Sequence, residues 1–184
     1  MDFSKFKTSD WLKIGGGVVF LIFGFMSWIT TTFEGKDVPG ADTGNVFDFF
    51  WTGTLPWILV LGTAVITFLV INGTVKAGGL PWPLIMLGAT GLAALLLLIR
   101  VIFNPLENKD LVEAAGFEVG RGIGMIGSAI GGCLAFAGSV MGYTESGGNL
   151  SDLKDMNKVK SQFGKGGGST PPPPPGMPPP PPPR

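Results

Sequence analysis

The chain has 184 residues, 45% of them hydrophobic and 14% charged, and its 13 basic and 13 acidic residues cancel. Soluble globular domains carry about 25% charged residues, and the charges here form no basic patch with interleaved aromatics, so nucleic acid is excluded as a partner. With no His and one Cys, the sequence excludes His-containing metal sites, Cys clusters, Cys/His nucleophile pairs and internal disulfides.

In chain order, a short basic segment over residues 1–13, with Lys5, Lys7 and Lys13, leads into four nearly uncharged apolar runs at 14–33, 51–72, 81–103 and 122–143. Each is about 20 residues long, enough for a helix to cross about 30 Å of hydrocarbon. A spanning backbone must satisfy its own hydrogen bonds, so the runs are expected to be helices. The first is read as an uncleaved anchor rather than a secretory signal, since no small-residue cleavage site follows it. The expected fold is an all-α membrane protein: a four-transmembrane-helix bundle over 14–143, a linker with a short amphipathic juxtamembrane helix over 144–165, and a disordered polyproline tail over 166–184.

Lys5, Lys7, Lys13, Lys76, Lys154, Lys158, Lys160, Lys165 and Arg184 lie on the side of both termini, against Lys36, Arg100, Lys109 and Arg121 on the other. That excess predicts both termini in the cytoplasm of a plasma membrane protein. Trp11 and Trp82 then mark the inner interface, Trp28, Trp51 and Trp57 the outer one, and Tyr143 returns inside. Phe47, Phe49 and Phe50 read as an interfacial anchor. Glu34, Asp37, Asp42, Asp48, Glu107, Asp110, Glu113 and Glu118 give an acidic outer face, and the first four lack the dense alternate spacing of a calcium loop.

Gly120, Gly124, Gly127, Gly131, Ala135, Gly138 and Gly142 recur at steps of four or three, which keeps them on one helical face. Small residues let helix backbones approach closely in lipid, where no hydrophobic drive holds helices together. The fourth run is therefore expected to be the hub of the bundle, meeting small positions at Gly17, Gly24 and Ser27 on the first and Gly88, Gly91 and Ala94 on the third. Packing within the chain is the simpler use of this face, and a homo-oligomer contact the sharper one. Cys133 reads as a small buried hydrophobe, and Leu95 to Leu98 as lipid-facing or structural.

Arg100 is the first candidate functional residue, because ionisable residues within spans are expensive. It lies near the outer end of its run, where it can snorkel to the interface, pairing with Glu107 or Glu118. The competing uses are a structural ion pair or a ligand contact. Arg121, among Gly120, Gly122 and Gly124 at a helix start, is the second: free N–H groups beside an Arg suit a phosphate or carboxylate. The string lacks the Lys-Ser/Thr of a P-loop and follows no expected strand, so helix packing accounts better for its glycines. Residues 106–118 read as a short surface helix. No nucleophile–base pair, paired carboxylates within a span or cofactor motif is present, so the chain is read as non-enzymatic, with no cofactor and no metal.

Beyond Tyr143, Leu153, Met156, Val159 and Phe163 recur at helical spacing with Lys154, Lys158 and Lys160 elsewhere on the wheel. This is expected to be a helix on the inner lipid surface or one that docks a partner. A Gly-rich linker then leads to eleven prolines, Pro171 to Pro175 and Pro178 to Pro183. Such runs are polyproline II, used either as bait for a cytoplasmic polyproline-binding protein or as a spacer.

The strings M-D-F-S-K-F-K-T-S-D-W-L at the start, W-I-T-T-T-F-E-G, D-F-F-W-T-G-T-L-P-W and L-P-W-P-L-I, with the poly-Pro tail, together resemble a group of uncharacterised four-span membrane proteins of actinobacteria. The resemblance implies a bacterial plasma membrane and no functional residue. The function expected from all of this is a membrane adaptor, or an accessory subunit of a larger membrane complex, that presents its tail to a partner. The alternative is a small transport or channel subunit acting as an oligomer.

Overall fold

The computed structural model describes residues 3–38, 44–75, 80–103 and 113–164. Lys76, Asp42, Glu107, Lys109, Asp110, Lys165, Arg184 and the prolines Pro171, Pro175, Pro178 and Pro183 lie outside them. The architecture is mostly helical. Four long helices, α1 (Thr8–Gly24), α2 (Leu55–Ile71), α3 (Trp82–Phe103) and α4 (Ile123–Glu145), pack side by side, and a short helix α5 (Met156–Gly164) follows. Among the described residues, three helical stretches are long and apolar enough to cross a membrane: Phe50–Ile71, Trp82–Phe103 and Ile123–Glu145.

The helices form an antiparallel ring in which α4 packs on α1 and α3, and α2 closes the other side. The start of α1, the end of α2, the start of α3 and the end of α4 meet at one end, called basal here, where the described chain both starts and finishes. The exterior is apolar, with Ile22, Val65, Leu95 and Ile130 exposed, while Thr63, Thr67, Thr90, Ser128 and Ser139 are buried with Phe20, Val60, Leu97 and Met125. An exterior this apolar around a polar-containing interior suits lipid better than water. Leu97 belongs to the core, whereas Leu95 and Leu98 are exposed. Cys133 is exposed too, which corrects its expected burial.

The first run is the main departure in the fold. Its helix covers Thr8–Gly24, not residues 14–33, and Ile29–Phe33 is a strand. Threonines in a row are stiff at χ1 and favour extended backbone, and Glu34-Gly35, both at positive φ (51° and 72°), make the tight two-residue turn of a hairpin. Strand β1 (Ile29–Phe33) pairs antiparallel with β2 (Lys36–Asp37) through Phe33↔Lys36, and with β3 (Phe117–Arg121) from Ile29↔Arg121 to Phe33↔Phe117. The expected surface helix over 106–118 is thus overtaken at Phe117 by a strand. Gly120 sits in β3 rather than on the helical stripe, opposite Thr30, whose hydroxyl would stand 2.6 Å from any Cβ there.

Ahead of α2, Asn45 and Asp48 cap one another's backbone across a 3₁₀ turn at Val46–Asp48. A π-turn at Phe50–Thr54 then enters the helix, with Pro56 in the first turn of α2, where its missing N–H costs little.

Candidate functional site

The glycine stripe of α4 faces α1. A Cβ on Gly131 would lie 2.8 Å from the Gly16 carbonyl oxygen and the Phe20 nitrogen, and one on Gly138 2.7 Å from the Ser9 carbonyl oxygen. Gly124 meets the chain at Met26 and Ser27, Gly127 the ring of Phe23, and Gly142 the Lys13 ammonium. These glycines are spent on packing within the chain. The matching position on α1 is Gly16, while Gly17 meets Ala64 of α2 and Gly24 meets Trp57. On α3, Gly91 receives Phe136 and Gly88 faces open space.

Arg100 does not reach out to the interface. It is 2% exposed, and its guanidinium carbon lies 3.8 Å from the centroid of the Phe49 ring. Phe49 stacks in turn on Trp28 at 6.0 Å, and Trp28 is fully buried rather than an interfacial anchor. The cause is the segment before α2, which brings Phe49 over the end of α3 and gives the cation an aromatic face in place of water. Trp51, Phe47 and Phe50 are exposed. Glu118 accepts the Thr32 hydroxyl across the sheet.

Arg121 is likewise committed. Its Nε donates to the Val101 carbonyl and its Nη2 to that of Ile102 at 3.2 Å, both in the last turn of α3, whose final carbonyls have no partner within the helix. The N–H groups of Gly122 and Gly124 donate to the Trp28 and Ser27 carbonyls, each at 2.9 Å. The start of α4 is therefore sewn to the chain leaving α1, which engages the N–H groups of Gly122 and Gly124 that an anion would use.

A polar cluster that sequence reasoning used only to orient the chain occupies the basal end. Lys13 and Asp10, three residues apart on α1, pair at 2.9 Å with side chains only 8% and 15% exposed. The other Asp10 oxygen accepts the Lys7 backbone N–H. Ser9, fully inside, donates to Glu145 of α4 at 2.8 Å, with the Lys7 ammonium 3.9 Å from the same oxygen. Beside this cluster lies a cavity of about 180 Å³, walled by Asp10, Lys13, Thr67, Trp82, Met86 and Ser139. The i,i+3 spacing of Asp10 and Lys13 was the available signal for an ion pair; Gly142 leaves the ammonium its room, since a Cβ there would lie 3.3 Å from Lys13 Nζ.

The chain after α4 turns at Gly147 and Gly148 into a 3₁₀ turn (Leu150–Lys154) and then α5, so the expected single helix is two pieces. Lys158 bonds Asp152 at 2.7 Å, and the Gln162 amide donates to the Tyr143 hydroxyl at 3.1 Å, tying α5 to the basal end of α4. Met156 and Phe163 are exposed. No protein family, no curated protein and no solved structure matches this chain.

Proposed function

We propose that the chain is a non-enzymatic four-span adaptor or accessory subunit of a bacterial plasma membrane, with both ends in the cytoplasm, whose rigid bundle presents the proline-rich tail to a partner. The observation that carries this reading is the Gln162–Tyr143 bond. It ties Gln162 of α5 to the basal end of α4, close to where the described residues finish. Polyproline has little conformational entropy left to lose on docking, and a fixed root lowers the cost of presenting it further.

The first helix counts as the fourth span on this reading. Its 17 residues cover about 25 Å at 1.5 Å each; it lies along α4, and its Val18 and Ile22 are exposed like the outer residues of the other helices. The interior favours an anchor over a one-chain channel. The hydroxyls of Thr63, Thr90 and Ser139 each donate to the carbonyl four residues back in their own helix, and α1 and α4 touch backbone to backbone, which leaves no room for an ion between them.

Affinity purification from native membranes in mild detergent, comparing the full chain with one ending at Gly164, tests the proposal. A soluble protein that co-elutes only with the full chain is the expected result. Identical co-eluting proteins from both chains would overturn the tail's role. Ion flux through purified protein in vesicles would favour the transport reading instead.

A further inference from the structure

The basal cavity carries one buried hydrogen-bond donor without a partner, beside two donors whose partners in its walls are shared or weak. The Lys13 ammonium has three N–H groups, and Asp10 takes the short contact at 2.9 Å. The Trp82 indole nitrogen is buried and has no hydrogen-bond partner among the described residues. Thr67 directs its hydroxyl at the Met86 sulfur, 3.7 Å away, a weak acceptor. Both Asp10 oxygens are already engaged, one by Lys13 and one by the Lys7 backbone. A buried donor left without an acceptor is costly, and a cavity that sets the unpartnered Trp82 N–H beside the Lys13 ammonium and the weakly bonded Thr67 hydroxyl is completed by an occupant that brings acceptor oxygen.

The rest of the wall sets the body of that occupant. Val70, Ile71 and Met86 are apolar, and about 180 Å³ slightly exceeds the roughly 150 Å³ that admits benzene elsewhere. Lys13 and Asp10 cancel in charge, so the site suits a neutral carbonyl or a single carboxylate rather than a multiply charged ligand. We propose that this cavity is a binding site for an acyl group, its carbonyl or carboxylate oxygen held by Lys13 and Trp82 and its short hydrocarbon body lying against Ile71 and Met86. Two sources share that chemistry: a small carboxylic acid entering from the basal end, and the ester region of a surrounding lipid. The site is independent of the tail and of any partner the tail recruits.

The full-length protein labelled with 5-fluorotryptophan tests this by fluorine NMR, with the Trp82 resonance assigned by its loss in Trp82→Phe. One arm titrates benzoate into the protein in phospholipid-free maltoside micelles. The other compares nanodiscs of diester phosphatidylcholine with nanodiscs of its diether analogue. A saturable shift of Trp82 alone with benzoate assigns the free acid; a Trp82 difference between ester and ether lipid assigns the lipid. In either case the double variant Asp10→Leu/Lys13→Met is expected to weaken the response at least tenfold with the other tryptophan resonances in place. Gly142→Val, which directs a side chain towards Lys13, gives the same loss should the double variant not fold. A Trp82 signal that stays still in both arms, as for a cavity holding water alone, overturns the proposal. So does a common shift of all the tryptophans, or a response that survives in the folded variants.

Discussion

Replacing Gly131 by Ala puts a methyl group into the α1–α4 contact, where the obstacles are the Gly16 carbonyl oxygen and the Phe20 nitrogen, both 2.8 Å from the new carbon. Carbon settles against such atoms at about 3.4–3.5 Å, so the helices must part by roughly 0.6 Å along that line. A gap of about 0.5–1 Å already forfeits a quarter to a half of each dispersion contact, and overpacking costs ~1–3 kcal/mol. Backbone cannot swing aside as a side chain can, which puts this site at about 3 kcal/mol. Ala regains about 1 kcal/mol of helix propensity over Gly, leaving a net loss of about 2 kcal/mol, on the order of 30-fold in the folded-to-unfolded ratio. Gly88 supplies the control, since a Cβ there meets nothing within 4 Å; Gly88→Ala should be neutral or slightly stabilising. Reversible unfolding in mixed micelles of mild detergent and SDS, followed by tryptophan emission, measures both. Equal stability of the two variants would refute the packing argument, and a changed oligomeric mass in Gly131→Ala would return the stripe to an intermolecular role.

Arg121→Lys keeps the charge but loses the fork that reaches two carbonyls. It should cost about 1 kcal/mol and appear as faster amide exchange in the last turn of α3, with unchanged exchange counting against the capping role. Phe49→Leu removes the ring under Arg100 and beside Trp28; a desolvated cation–π contact is worth about 2 kcal/mol, and a loss of that size with altered Trp28 emission is expected from the same micelle titration. Asp152 raises the Lys158 pKa, first through their hydrogen bond and then through its charge. A raised folded value means the pair's contribution is complete below the ordinary lysine range and disappears as pH climbs through the folded pKa. Amide protection in α5 should therefore hold through neutral pH and fall in strong base, and Lys158 should titrate earlier in Asp152→Asn; identical titration in the variant would sink the assignment.

Three of the helices were legible because lipid thickness sets their length and composition, and neither depends on tertiary contacts. The first was misplaced for a related reason. Phe25, Met26 and Trp28 keep the chain apolar after the helix stops at Gly24, so hydropathy runs on to Phe33 while the backbone has already turned. Ile29-Thr30-Thr31-Thr32-Phe33 before Glu34-Gly35 did carry a hairpin signal, but its principal partner at Phe117–Arg121 is distant in sequence and invisible to any local pattern. The same limit applies to function. The α4 glycines announced a packing face, yet the sequence pointed to Gly17 as their match on the first helix, and only the crossing of the two helices singles out Gly16. Arg100 was judged by its depth along α3, whereas its surroundings come from Phe49, on a segment whose course no periodicity describes. Arg121 sat beside glycines that packing explained better than an anion, and only the end of α3 shows where two of its donors go.

The contact of α1 with α4 also sets an order for making the protein. Ser9 and Glu145 are 136 residues apart, and they close the same helix pair that Gly16 and Gly131 bring together. At about 5–20 residues per second of synthesis, the first helix waits on the order of 10 s for the surface it fits. During that interval its glycine groove faces lipid, a neighbouring nascent chain or the insertion machinery, and β1 lacks β3. Translation pauses between α3 and α4 should therefore lengthen the window for mispairing, whereas pauses after Glu145 should be harmless.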